Sequence, residues 1–142
     1  MTRYTTKNPA ETKKLASKIL AVLPKGSIIC LYGQLGAGKT TFTKGLAEVL
    51  ELREEAIKSP TFSYIREYHH NDGGVSFHCD LYRLEKHTDA AHEMISELHT
   101  RDPHYIIIEW AEHLGPNKPK IRTDIHLKRK NGTHEITVTH IK

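Results

Sequence analysis

Two short apolar runs and several amphipathic stretches divide the chain. Ser27-Ile28-Ile29-Cys30-Leu31-Tyr32 and Tyr105-Ile106-Ile107-Ile108 are continuous and too short for helices, so each reads as a strand buried on both faces. Elsewhere the apolar positions follow a helical period. Leu15, Ile19, Val22 and Leu23 share one face of a first helix, which Asn8-Pro9-Ala10-Glu11 starts: Asn8 caps, Pro9 suits the first helical position and Glu11 reaches back. Pro24-Lys25-Gly26 stops it and leads into the first strand. Phe42, Leu46, Val49 and Leu50 mark a second helix over residues 40–50. Thr88 or Asp89 caps a third, whose face is Ala91, Met94, Ile95 and Leu98 and which Arg101-Asp102-Pro103 breaks. The β-rich stretches 62–68 and 75–79 flank the turn Asn71-Asp72-Gly73-Gly74 and predict an antiparallel hairpin. Ile125, Leu127, Ile136 and Val138 alternate on either side of Asn131-Gly132, which predicts a second hairpin with a type I′ turn at a sheet edge.

Composition narrows the class. With 142 residues the chain has room for one domain over 1–142 and one core. An apolar fraction of 37% and a charged fraction of 27% are ordinary for a soluble protein. The net charge of +4 permits an acidic or nucleic-acid partner without requiring one. The two cysteines, Cys30 and Cys79, form no C-x-x-C pair and read as reduced, buried thiols. No run approaches the roughly 18 apolar residues of a membrane span, and Met1-Thr2-Arg3-Tyr4 lacks a hydrophobic signal segment. The expectation is a cytoplasmic protein.

The chemistry sits between the first strand and the second helix. Gly33-Gln34-Leu35-Gly36-Ala37-Gly38-Lys39-Thr40 fits the phosphate-loop pattern G-x-x-x-x-G-K-[ST]. A triphosphate needs many donors close together, and backbone N–H groups supply them only where side chains stand aside, hence Gly33, Gly36 and Gly38. Lys39 is expected to reach the β- and γ-phosphates, the Thr40 hydroxyl to bind Mg²⁺, and Thr41 to reach the α-phosphate. The strand–loop–helix context predicts an α/β, three-layer P-loop NTPase-like fold. Its mixed sheet would have a parallel core and antiparallel hairpins at the edges.

Such a loop needs partners. Glu109, directly after three isoleucines, is placed to serve the metal from the end of a neighbouring strand, either directly or through a water. Asp80, ending the 75–79 stretch, is a second carboxylate: it orients the attacking water or holds a metal-bound water, or it caps a turn. Thr61, behind Pro60, has the setting of a switch residue that senses the γ-phosphate. Trp110 is a lid, a partner anchor or a core residue, with a contact role favoured. The histidines His69, His70, His78, His87, His92 and His99 show no ligand spacing, so no zinc site is expected.

Four motifs in order then resemble one family. The run from Gly33 to Thr41 is similar to its phosphate loop. Ser59-Pro60-Thr61-Phe62 with Glu67-Tyr68 is similar to its switch segment. His78-Cys79-Asp80-Leu81-Tyr82-Arg83-Leu84 resembles its H-x-D-L-Y-R-L signature, and Ile107-Ile108-Glu109-Trp110 its strand-end metal motif. The family is TsaE, the ATPase of bacterial tRNA threonylcarbamoyladenosine biosynthesis, and the match runs from about Glu11 to Glu112. The chain departs from it at Met94-Ile95, where an apolar face continues.

The resemblance implies a small ATPase that uses ATP and Mg²⁺ and works with the TsaD and TsaB subunits, which modify the adenosine next to the anticodon. This chain would not transfer the group itself and would meet tRNA indirectly. By matching position, Lys39 and Thr40 serve phosphate and Mg²⁺, Glu109 the metal, and Asp80 a catalytic or metal-supporting role, while Thr61 and Trp110 fall in responsive or partner-facing segments. Two other readings stay open. A small P-loop kinase would need an acceptor pocket and an arginine-rich lid, for which the chain is short. A nucleotide-sensing scaffold would bind without catalysis. A GTPase would need N-K-x-D or T-K-x-D, and neither occurs.

Overall fold

The computed structural model describes residues 1–58, 64–84 and 89–142. Its centre is a seven-stranded mixed sheet. The two apolar runs become β2 (Ser27–Tyr32) and β5 (Tyr105–Glu109), paired in parallel. Strand β4 (Val75–Asp80) lies parallel on the far side of β5, and β6 (Arg122–Lys130) lies parallel to β2. Antiparallel strands extend both flanks. Strand β3 (Ile65–His69) pairs with β4, β7 (Thr133–Ile141) with β6, and β1 (Thr2–Thr6) with β7. The order across the sheet is β1-β7-β6-β2-β5-β4-β3.

Alternation along β2 divides the interior. Ile29 and Leu31 face α1 (Pro9–Val22), α2 (Lys39–Lys44) and α3 (Leu46–Leu50); Ile28, Cys30 and Tyr32 face α4 (Asp89–His99). Helices on both faces complete the three layers, as expected for strands apolar on both sides. Cys30 and Cys79 are free and buried, and burial pushes both thiols up to about 12. No helix among the described residues is long and apolar enough to cross a membrane.

Local rules hold at most boundaries. Asn8 Oδ1 accepts the Glu11 N–H at 2.9 Å, and Glu11 reaches back to the Lys7 N–H at 2.7 Å. Asn131 and Gly132 both take positive φ, 51° and 77°, as a type I′ turn requires.

Four expectations change, and one strand, β1, was not foreseen. The C-terminal hairpin is not at an edge: β6 lies against β2, and β1 covers β7. Strand β1 has no apolar alternation, because four of its five residues are exposed at the rim. On α1 the buried residues are Thr12, Ala16, Ser17, Ile19 and Leu20, with Leu15 and Leu23 packed partly buried against the same cluster, as expected, while Val22 points to solvent. Helix 40–50 is two pieces that meet at Gly45, whose N–H closes onto Phe42 O at 3.0 Å, a tighter i→i+3 turn. Strand β3 begins at Ile65, later than the sequence suggested; Phe62, Thr61 and the candidate cap Thr88 lie outside the described residues.

At Gly45 α1 also crosses close to helix 40–50. A Cβ there would sit 2.5 Å from Ala16 Cβ and 2.6 Å from Lys13 O. Gly→Ala inside a helix ordinarily gains up to about 1 kcal/mol, whereas overpacking costs about 1–3 kcal/mol. Lys13 O is backbone and cannot swing aside, so the clash wins. Gly45→Ala is expected to lose about 1–2 kcal/mol in chemical denaturation; an unchanged or higher midpoint would disprove the close crossing.

Candidate functional site

The parallel strands end together, and the loop after β2 lies over their ends. Gly33 opens it against β6: a Cβ there would lie 2.6 Å from Leu127 O and 2.9 Å from Ala37 Cβ, so only glycine fits. Ala37 N–H closes a turn onto Gln34 O at 3.0 Å, and the left-handed backbone at Gly36 and Gly38 leads into α2. His134, from β7, donates its Nδ1–H to Ala37 O at 2.9 Å and props the loop from below. Alternating left- and right-handed residues of this kind turn successive N–H groups to one side, which makes a concavity for anions.

Beneath the loop, register does the positioning. Glu109 pairs with Leu31 of β2 on one side and with Asp80 of β4 on the other. The two carboxylates therefore stand side by side. Glu109 is buried; its Oε1 accepts the Thr40 hydroxyl at 3.1 Å and its Oε2 accepts from His78 Nε2 at 3.0 Å. Asp80 Oδ1 accepts the Tyr82 N–H at 3.0 Å, which caps the turn, and the residue also lines the cavity described below. Burial pushes the Asp80 carboxyl above its usual range against that hydrogen bond, and the Glu109 charge pushes the same way.

Lys39 lies across the loop. Its ammonium donates to Gly33 O and, at 3.0 Å, to Gln34 O, and it sits 3.9 Å from the centre of the Trp110 ring. Burial lowers its pKa, while Glu112, Glu109 and Asp80 hold part of that back. Trp110 has a left-handed backbone (φ 57°) and packs on Tyr82 at 4.9 Å. Among the described residues, one buried side-chain atom lacks a hydrogen-bond partner, Glu112 Oε1. Leu35, Gly36, Gly38, Thr40 and Thr41 line the resulting cavity of about 310 Å³ together with the two carboxylates and Trp110. A larger hollow of about 630 Å³ lies between α4 and the opposite strand ends, has no Asp or Glu side chain in its lining, and is remote from this chemistry.

The structure thus brings together Gly33, Gln34, Leu35, Gly36, Ala37, Gly38, Lys39, Thr40, Thr41, Asp80 and Glu109. Thr61 lies outside the described residues. Sequence reasoning missed His78, Glu112 and His134 as parts of this site. The signal for His78 was its parity: two residues before Asp80 on one strand, it shares that residue's face. Glu112 and His134 depend on chain reversals that no local pattern encodes. The Thr40 hydroxyl and the Glu109 and Asp80 carboxylates offer oxygen, which suits a hard cation such as Mg²⁺ better than a soft one. Among the described residues, Glu112, Glu109 and Asp80 all act on the Lys39 ammonium, which leaves room for further positive charge.

A family model described as "Threonylcarbamoyl adenosine biosynthesis protein TsaE" matches residues 6–137. The chain is 38% identical over 139 residues to the tRNA threonylcarbamoyladenosine biosynthesis protein TsaE of Bacillus subtilis, covering 96% of this chain and 84% of that protein. It is 42% identical over 117 residues to the protein of the same name from Aquifex aeolicus, covering 79% of this chain and 87% of that one. The crystal structure of Bacillus subtilis YdiB superposes with a TM-score of 0.75 at 33% identity, over 99% of this chain and 86% of that one.

The raised pKa of Asp80 has a sign. The folded state takes up that proton more readily than the unfolded chain, so the ionised carboxylate costs stability at neutral pH, and the cost fades as pH falls through the raised value. Asp80→Asn keeps an oxygen for the Tyr82 N–H and removes the charge. It is expected to raise the melting temperature of the ligand-free chain at neutral pH and to match wild type in acid. Equal melting curves at neutral pH would refute the destabilising, half-buried carboxylate.

Proposed function

The chain belongs to the TsaE family of threonylcarbamoyl adenosine biosynthesis proteins, and from that premise we propose that it binds Mg–ATP under the 33–40 loop and hydrolyses it. It acts with TsaD and TsaB in threonylcarbamoylation of the adenosine next to the anticodon and does not transfer the group itself. The observation that carries this reading is the Thr40 hydroxyl on the Glu109 carboxylate at 3.1 Å, in the cavity that Lys39 also lines.

Each residue then has a task. Loop N–H groups bind phosphate oxygens without side chains intervening. Lys39 exchanges the neutral carbonyls of Gly33 and Gln34 for the anionic β- and γ-phosphate oxygens. Contacts to ionised acceptors are about twice as strong as neutral ones, so the exchange is favourable. Thr40 and Glu109 would hold Mg²⁺, which when bound neutralises charge on the phosphates. His78 fixes the Glu109 carboxylate by its Nε2–H. Asp80, beside it, accepts a proton from the attacking water or orients that water; its raised pKa makes it a stronger base than an exposed aspartate.

Turnover by the isolated chain is slow on this reading. No arginine lines the cavity among the described residues, so transition-state charge on the γ-phosphate lacks the finger that related enzymes receive in cis or from a partner. TsaD and TsaB are the proposed source of that completion.

Phosphate release in the absence of any acceptor tests the chemistry. Lys39→Ala and Thr40→Ala are expected to reduce it by on the order of 100-fold or more, and Trp110 emission is expected to change as Mg–ATP is titrated, because Lys39 must leave the ring. Wild-type release by either variant, or release only on adding a phosphate acceptor, would overturn the assignment. Co-purification with TsaD and TsaB, with and without ATP, tests the partnership.

A further inference from the structure

At the end of the sheet opposite the phosphate loop, three potential ligands from two separate segments converge. His70 and Asp72 flank the β3–β4 turn; His104 precedes β5. One ligand atom from each lies within 4.8 Å of the other two. The His70 and His104 rings meet with centroids 4.0 Å apart, and His104 Nε2 is 3.5 Å from Asp72 Oδ2.

We propose that His70, Asp72 and His104 form a binding site for a divalent transition cation of the borderline class, with Zn²⁺ as the best-matched ion. The inference stands independently of the nucleotide site.

Three features separate this cluster from a chance meeting of surface side chains. First, the backbone gives way to it. A Cβ on Gly74 would lie 2.3 Å from His104 Nε2, so the turn leaves a gap that the imidazole fills. Second, the ligands are fixed from behind. His104 N–H donates to Val75 O at 2.7 Å and His104 O accepts from Gly26 N–H at 2.8 Å. Asp72 Oδ1 accepts the Gly74 N–H at 2.9 Å. A ring nitrogen of His70 bonds Ser76 Oγ at 2.8 Å, and that hydroxyl also accepts the Tyr105 N–H at 3.2 Å. Outer hydrogen bonds of this kind orient metal ligands. Third, the donor set is chemically selective. Two imidazoles and one carboxylate suit Zn²⁺ and its neighbours, whereas Mg²⁺ and Ca²⁺ prefer oxygen alone.

The geometry needs little adjustment. Tetrahedral Zn²⁺ with bonds of about 2.0–2.1 Å places its donors roughly 3.4 Å apart, so the widest separation must shrink by at most about 1.4 Å. Lys25, whose Nζ is 3.3 Å from Asp72 Oδ2, is the competing cation, and an exposed pair of that kind is worth little. Beside the cluster lies a hollow of about 440 Å³, lined also by Arg101, Asp102 and Pro103, where a water can complete the coordination. Bound there, the ion would tie the β3–β4 turn to the segment leading into β5.

The test is calorimetric titration of the untagged full chain with Zn²⁺ in excess Mg²⁺, which saturates oxygen sites elsewhere. One ion per chain is expected, together with a rise in melting temperature. His70→Gln and His104→Gln should each weaken binding by more than the roughly 10–100-fold that loss of an outer hydrogen bond costs a metal site, and should leave phosphate release unchanged. Asp72→Asn, on an exposed turn, serves as the variant least able to disturb folding and should weaken binding as well. Absence of Zn²⁺ heat with the wild-type chain, or equal affinity in wild type and Asp72→Asn, would overturn the proposal.

Discussion

The in-register parallel pairing of β4, β5 and β2 is the constraint on which the candidate site rests. It puts Asp80, Glu109 and the start of the phosphate loop in one row. A one-residue slip in either ladder would turn an acid to the opposite face of the sheet. The apolar interior forbids that slip, because Ile106 and Ile108 pack on one cluster and Ile107 on the other. Packing of the core thus fixes the address of each carboxylate, while α2 brings Lys39 and Thr40 to them from its first turn.

That row carries an electrostatic imbalance. Asp80, Glu109 and Glu112 all act on one ammonium, and Lys39 is itself disfavoured by burial. Its contacts show how the ligand-free protein lives with this arrangement. Lys39 is satisfied by two carbonyls and an aromatic face, the last worth about 0.5–2 kcal/mol. Asp80 keeps a backbone N–H, Glu109 a hydroxyl and an imidazole, and Glu112 Oε1 has no partner among the described residues. Buried charge that is only partly compensated lowers stability, and functional sites are where such deficits collect.

The two-sided apolar runs, the phosphate loop, the Asn131-Gly132 turn and the strand-end position of Glu109 were all legible, since each is written in contiguous residues. Strand β1 was not, because an edge strand with Thr-Arg-Tyr-Thr-Thr has neither alternation nor apolar content to announce it. The place of the C-terminal hairpin was missed for a related reason: strand order is decided by which faces remain to be covered, and local pattern is silent on that. The break at Gly45 comes from the approach of α1, a tertiary contact. His70 and His78 looked like solvated or unassigned histidines because their partners, His104 and Glu109, lie far away along the chain.

The two ends of the sheet are joined by the same strands. Strand β4 runs from Val75, next to the histidine cluster, to Asp80 in the cleft; at about 3.3 Å per residue this is roughly 17 Å. That exceeds the Debye length of about 8 Å at physiological ionic strength, so charge at the turn has little direct leverage on the Asp80 carboxyl. Mechanical leverage is a different matter. β3 stands last in the strand order, paired with β4. Anchoring the β3–β4 turn to the chain before β5 would restrict sliding of that hairpin against the central strands, while the central ladder itself, paired on both sides, has no comparable freedom to lose. Any influence of the distal cluster on the nucleotide end would therefore pass through the pairing of β3 with β4, with the charges of the cleft left as they are.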